Sequence, residues 1–295
     1  MECKICKSNK VKVIYNEIIR NGGLGRYTSA PVPMYQCEEC GVIWHDAILK
    51  DVGEYYKSPQ YRDSMNEGSD VEVFYRNHDR ETMDKFHYTG TEIFRNKTVA
   101  DIGCGGGAFL DFLKGVAKKI VAIEPSEIFR NILLEKGFFS YSYAQDALQD
   151  WGGKVEVVTS FDVIEHVDDP KRFICDSYEL LQNDGIAIIG TPTDAPIMRR
   201  LLGACYEKEV LFSVQHLWIL SGESLRRMAK EAGFHSIEIR YYQRYGIENL
   251  LGWCLEKKPR RDIEIPFIGH EMDAVWRGTC SSHQVADYVV LYAKK

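Results

Sequence analysis

Hydrophobic and polar positions change their period along the chain. From Thr98 onward, short apolar or β-branched runs at 98–102, 119–123, 138–143, 155–159 and 185–190 alternate with stretches whose apolar residues recur at helical spacing. SEIFRNILLEKG shows the helical pattern most plainly, with Ser126 placed to cap it and Gly137 to stop it. Such alternation predicts an α/β fold with a parallel, doubly wound sheet. Two later runs, 236–244 and 284–295, complete a seven-stranded sheet whose last strand is expected antiparallel, between the fifth and sixth.

Three segments stand outside the alternation. Residues 47–97, rich in tyrosine and arginine, read as a helical cover across the ligand edge of the sheet. Residues 193–220 and 247–283 are insertions within a 98–295 domain, and the second is long enough for a loop to mark it as functional. Its Trp253, Trp276 and Arg277 either form a flat aromatic and cationic wall for an acceptor or bury a homodimer interface. Residues 1–46 form a small zinc-ribbon-like module. Cys3-x-x-Cys6 and Cys37-x-x-Cys40 each set two thiolates on one knuckle, and together they supply the four soft ligands of a closed, structural zinc site.

Composition narrows the partners. The 295 residues, 45% hydrophobic, suffice for a full α/β core with an appendage. Against 43 acidic residues stand 37 basic ones, a net charge of −6 without a long basic block, which disfavours nucleic acid as an obligatory partner. MECKICKSNK lacks an apolar signal region, no stretch approaches a membrane span, and nine cysteines with four in tight pairs suit a reducing compartment. A cytoplasmic protein without a membrane partner is expected.

The chemistry concentrates in TVADIGCGGGAFL, Thr98 to Leu110. Its four glycines let the backbone turn sharply beside a ligand, and helix amides from near Gly107 would face an anionic group. Glu124, at the end of the next strand, can take two ribose hydroxyls. Gly103-x-Gly105-x-x-Ala108 also fits a dinucleotide fingerprint, but Asp101 would repel a pyrophosphate. The ammonium and sulfonium of S-adenosylmethionine suit that carboxylate.

These residues resemble the first two motifs of the class I S-adenosylmethionine-dependent methyltransferases, which have a Rossmann-like fold. The resemblance implies S-adenosylmethionine as donor and S-adenosylhomocysteine as product, with Asp101, Gly103, Cys104, Gly105, Glu124 and Pro125 around it. It places Asp146 at the adenine amino group, with a helix cap as the alternative role. SFDVIEHVDDP resembles the post-strand motif of the branch that includes small-molecule and ubiquinone-type O-methyltransferases. There Ser160 and Phe161 line the methionine side, Asp162 lies near the acceptor mouth, and His166 either orients the loop or touches substrate. Tyr55, Tyr56 and Tyr61 are candidate donors to the cofactor carboxylate or an acceptor. The segment before SGESLRRMAKEAGF resembles a loop that roofs the acceptor, which makes His216 the first candidate for general base.

YYQRYGIENLLGW is similar to segments of surface-polysaccharide methyltransferases, implying O-methylation of a sugar or nucleotide-sugar. The cysteine knuckles joined to this core also resemble the deoxysugar C-methyltransferases. Their Tyr-x-Glu-His reads here as Ser213, Gln215 and His216, and the missing tyrosine and glutamate weigh against carbon methylation. That activity stays an alternative, as do a non-catalytic zinc-bearing scaffold and a nicotinamide-dependent sugar oxidoreductase.

Overall fold

A computed structural model describes residues 1–46, 52–58, 70–256, 265–266 and 268–295. From the N-terminus the chain forms β1 (Val11–Glu17), β2 (Val32–Cys37) and β3 (Ile43–Trp44), then α1 (Val52–Lys57) and α2 (Val71–Thr89). Strands and helices then alternate: β4 (Thr98–Ile102), α3 (Ala108–Leu113), β5 (Lys119–Ile123), α4 (Glu127–Glu135), β6 (Phe139–Tyr141), α5 (Ala144–Trp151), β7 (Val155–Phe161), α6 (Pro170–Leu180) and β8 (Leu181–Pro192). The last third adds α7 (Pro196–Leu202), β9 (Trp218–Ile219), α8 (Gly222–Ala232), β10 (Ser236–Tyr242), α9 (Ile247–Glu256), α10 (His270–Ser282) and β11 (Tyr288–Lys294).

Seven strands form one sheet in the order β10-β11-β8-β7-β4-β5-β6, with β11 antiparallel as expected. The central pairs β7·β8, β4·β7, β4·β5 and β5·β6 are parallel. Strand β4 is buried along its whole length, the pattern of a central strand covered on both faces. Helix boundaries follow local chemistry. Asp169 caps α6 by accepting from the N–H groups of Lys171 and Arg172, with Pro170 fixing the first turn. Asp70 caps α2 by accepting from the N–H of Glu72.

By its contacts the chain divides into two compact units. One comprises Met1–Ile48, Thr191–Leu225 and Ile239–Val290; the other comprises Leu49–Gly190, Arg226–Glu238 and Leu291–Lys295. The 193–220 insertion therefore groups with the N-terminal segment. The reason is a four-stranded sheet, β1-β2-β3-β9, in which Ile43 pairs with Ile219 and Trp44 with Trp218. Strands β1 and β2 form its antiparallel base, with an irregularity between Val13 and Tyr15. Among the described residues, no helix is long and apolar enough to cross a membrane.

Candidate functional site

In the second unit, the turn after β4 is built around Glu124. Its carboxylate accepts from the N–H of Gly105 at 2.9 Å and from the N–H of Ser126 at 2.9 Å, one at each oxygen. The carboxylate is buried and held in place by these two bonds. Ser126 stands at the start of α4 as anticipated, but its hydroxyl makes no capping bond; the glutamate holds its N–H instead. Gly103 and Gly105 have φ of +77° and +55°. A Cβ on Gly105 would lie 2.5 Å from Phe74 Cζ, so a glycine is required there on both conformational and steric grounds.

Helix α2 braces this turn from outside. Phe74 packs with Ala108 and Phe129, and the Tyr75 hydroxyl donates to Gly106 O at 2.9 Å. The Lys136 ammonium donates to Asp111 at 2.5 Å, to Gly106 O at 3.4 Å and to the Tyr75 hydroxyl.

Asp101 is buried and accepts a 2.7 Å hydrogen bond from the Thr159 hydroxyl. Burial pushes its carboxyl up to about 6, against the opposing pull of Lys85 and of that hydroxyl, while Glu124 adds to the rise. Cys104 is buried beside these acids, and burial first, then their charge, drives its thiol well above the ordinary range. Lys85 did not stand out in the sequence. Its ammonium lies 5.6 Å and 5.7 Å from the ring centroids of Phe109 and Phe161 and has no hydrogen-bond partner among the described residues. The available signal was its helical spacing: Phe74, Thr82 and Lys85 share the inward stripe of α2.

The remaining residues of this unit separate by environment. Ser160 is fully buried and its hydroxyl donates to Ile102 O at 2.9 Å, tying β7 to β4. Phe161 packs against Tyr88 and Phe109. Pro125 O accepts from Arg130, which also donates to Glu124 O, fixing the turn after β5. Asp162 is exposed, with a φ of +58° that a non-glycine residue rarely adopts, and its N–H donates to Gly190 O. The Asp146 carboxylate is exposed and accepts from the Tyr143 N–H at 3.0 Å, so the geometry favours the helix-cap alternative. Tyr56 and His166 come together, the hydroxyl 2.8 Å from the ring Nδ1. The other ring nitrogen lies 3.9 Å from the Glu165 carboxylate. Tyr61 lies outside the described residues.

His216 belongs to the first unit. It is half-buried in the turn before β9, its N–H donating to both the carbonyl and the hydroxyl of Ser213. In the same unit, just past the C-terminal end of β8, a groove of about 400 Å³ is lined by Asp194, Pro196, Arg199, Arg200 and Glu207. Arg199 bridges the two acids, at 2.7 Å to Glu207 and 3.4 Å to Asp194. Burial raises the Asp194 carboxyl above its ordinary range, although Arg199 draws it down.

For Trp253, Trp276 and Arg277, which read as either an acceptor wall or a homodimer interface, the structure gives partners within the chain. Trp253 is buried, its ring 5.8 Å from that of Tyr206, and offers no face. The Arg277 guanidinium is engaged by Asp273 and by the carbonyls of Gln243 and Arg244, and Trp276 donates to Tyr245 O. These side chains tie α10 to the segment after β10.

The four N-terminal cysteines do converge. Sγ of Cys3 and Cys40 are 3.7 Å apart, those of Cys6 and Cys37 are 3.5 Å apart, and all four lie within 4.8 Å of one another. A tetrahedral zinc with ~2.3 Å bonds to sulfur has edges of about 3.8 Å, close to the Cys3–Cys40 and Cys6–Cys37 separations. The Cys6 N–H points at Cys3 Sγ, at 3.5 Å. Burial raises the thiols of Cys3 and Cys40, so two thiolates here need a cation to offset their desolvation.

A family model described as a methyltransferase domain matches residues 74–239. Among curated proteins, the ubiquinone biosynthesis O-methyltransferase of Thiobacillus denitrificans is 29% identical over 155 residues, covering 48% of this chain and 66% of that protein. The protein of the same description from Caulobacter vibrioides is 33% identical over 107 residues, covering 33% of this chain and 42% of its own length. The chain thus spans less than two thirds of the length of such relatives. Among solved structures, Haemonchus contortus phosphoethanolamine N-methyltransferase 2, in complex with phosphomonomethylethanolamine and S-adenosylhomocysteine, shares the fold. It has a TM-score of 0.53 and 15% identity, covering 86% of this chain and 63% of that one.

Proposed function

The chain belongs to the class I S-adenosylmethionine-dependent methyltransferases, whose family model covers more than half of it, and from that premise we propose that it methylates a hydroxyl oxygen of a small, hydroxyl-rich molecule, a sugar or nucleotide-sugar. The observation that carries the donor half is the Glu124 carboxylate, buried at the end of β5 and fixed by the N–H groups of Gly105 in the glycine turn and of Ser126, a position suited to an acceptor for ribose hydroxyls. Asp101 faces the cationic end of the donor. Lys85, whose ammonium lies near the rings of Phe109 and Phe161 and whose charge already acts on Asp101, is the proposed partner of the donor carboxylate. When bound, the donor supplies a methyl group activated by its sulfonium. The protein's part is alignment of the acceptor oxygen and removal of its proton.

His216 is the proposed base. His166 is the second candidate, supported by the Tyr56 hydroxyl on one ring nitrogen and Glu165 near the other. Oxygen is favoured over carbon because the position that would need a glutamate carries Gln215, whose amide oxygen accepts the Gly22 N–H at 3.0 Å. A neutral amide at that position does not serve as a base for forming an enolate. A sugar is favoured over a flat apolar acceptor by the groove beyond β8, whose carboxylates and guanidiniums match hydroxyl groups. The open end of such sheets is also where ligands bind. Four thiolates leave no coordination position open, so the proposed zinc has a structural role.

The test is transfer of labelled methyl to separate pools of nucleotide sugars, glycans, phenols, protein and RNA. Label in a sugar pool is expected. Label only among phenols would replace the acceptor class, and no label together with no S-adenosylhomocysteine binding would leave the scaffold reading. His216→Ala is expected to lower turnover by roughly 10²-fold or more at saturating donor; an unchanged rate there with a loss in His166→Ala would reassign the base.

A further inference from the structure

The segment that carries His216 is supported within its unit from two sides by the N-terminal residues. On one side the Arg20 N–H donates to Phe212 O at 3.1 Å, the Val214 N–H donates to Arg20 O at 2.9 Å, and the Gly22 N–H donates to Gln215 Oε1 at 3.0 Å. The Tyr15 ring packs on Phe212, with centroids 4.9 Å apart. On the other side, β9 lies two residues beyond His216 and pairs with β3, which begins three residues beyond Cys40. The Ser221 hydroxyl donates directly to Cys40 O.

Gly41 makes the second attachment feasible. It has a φ of +74°, and a Cβ there would lie 3.2 Å from Ser221 Cβ. Ser221 also starts α8, its Oγ accepting from the Ser224 N–H at 3.0 Å. The knuckle, the short sheet and the start of α8 are therefore consecutive links, and His216 sits on the span between its two anchors. Cys37 and Cys40 bound the turn from which the second anchor hangs. Within the turn the backbone bonds are Gly41 N–H to Cys37 O and Cys37 N–H to Val42 O, and the Glu38 N–H donates to Lys10 O at 2.9 Å, which ties the turn to the start of β1.

We infer that zinc bound by Cys3, Cys6, Cys37 and Cys40 holds residues 212–221 in place, so that metal occupancy controls the acceptor-side step and leaves donor binding unchanged. The effect on turnover rests on the reading of His216 as base; the anchoring does not. The Glu124 and Asp101 machinery lies in the other unit and has its own supports in α2, β5 and β7.

The experiment strips zinc from the intact chain with a chelator and verifies its loss by metal analysis. Four quantities are then compared with the loaded protein: hydrogen exchange at 212–221, hydrogen exchange at 98–110, affinity for S-adenosylhomocysteine, and methyl transfer. Exchange at 212–221 is expected to accelerate at least about tenfold, with exchange at 98–110 unchanged and affinity within about twofold. Retained protection at 212–221 in zinc-free protein would overturn the inference, and so would a parallel loss of donor affinity. Lost protection with unchanged methyl transfer would support the anchor and remove His216 from the mechanism.

Ser221→Ala provides a second arm that keeps all four thiolates. It is expected to accelerate exchange at 218–221 while zinc content stays at one per chain. Identical exchange to the parent would exclude the route through Cys40.

Discussion

The glycine turn after β4 and the cysteine knuckle are both tight turns in which a ligand position is surrounded by small residues and aimed backbone groups. They differ in the range of chain that shapes them. Gly105 and the acid that holds it are 19 residues apart. The knuckle joins Cys3 to Cys40 across 37 residues, and the serine it supports lies 181 residues beyond Cys40. The glycine turn is braced by partners in its own unit, Glu124 and the Phe74 and Tyr75 side chains of α2. The knuckle, by contrast, passes any disturbance to a distant segment.

The sharpest way to break this comparison is to add one methyl group to each turn. Gly105→Ala places a Cβ against Phe74 at a backbone conformation unfavourable to alanine and is expected to lower S-adenosylhomocysteine affinity by about 100-fold or more in calorimetric titration. Gly41→Ala, with a looser 3.2 Å approach, is expected to cost about 1–2 kcal/mol of stability in denaturant melts and to slow methyl transfer while sparing donor affinity. Equal loss of donor affinity in both variants would erase the distinction.

Next in size is Glu124→Ala. It removes the proposed ribose acceptor and the carboxylate that accepts from the Gly105 and Ser126 N–H groups, so donor affinity is expected to fall about 10- to 100-fold. Turnover at saturating donor should change less.

The pH dependence comes third. Because burial lifts the Asp101 carboxyl to about 6 from an ordinary 3.8, the folded protein holds that proton more tightly than the unfolded chain. Its contribution to stability without ligand therefore declines as pH rises through that window. Donor binding has the opposite slope, since a cationic group requires the carboxylate. Affinity is expected to fall up to about tenfold per pH unit below 6, and Asp101→Asn should flatten the profile in titrations between about pH 5 and 8.

The smallest effect is expected from Lys136→Met. It frees the Tyr75 and Gly106 brace without touching the ligand position, and a loss of donor affinity of about two- to fivefold is expected.

The sequence exposed what was specified over short range. Period changes marked the strands and the alternation with helices, and one acid before the first glycine with another at the end of the next strand pointed to the donor. Residues whose roles depend on distant partners were less legible. Ser126 reads as a cap, but its hydroxyl makes no capping bond, and what it contributes is its N–H, donated to the buried Glu124 carboxylate. Trp253 reads as a surface wall, yet the insertion folds it against Tyr206. Lys85 carries no motif and emerges only when α2 is laid over β4 and β7. Residues 193–220 read as an appendage to the large sheet, and nothing in their pattern announces that Trp218 and Ile219 complete a sheet begun at Val11.

That two-residue strand also sets an order of events during synthesis. All four cysteines are made before β3, so their cluster can close while the ribbon has only β1, β2 and β3. The pairing of Ile43 with Ile219 waits for about 175 further residues, roughly 10–35 s at the usual rate of elongation. Throughout that interval the outer edge of β3, with Trp44 beside it, is open to any other extended chain. The nascent protein is thus most exposed to mispairing before its own sequence has supplied the strand that closes the edge.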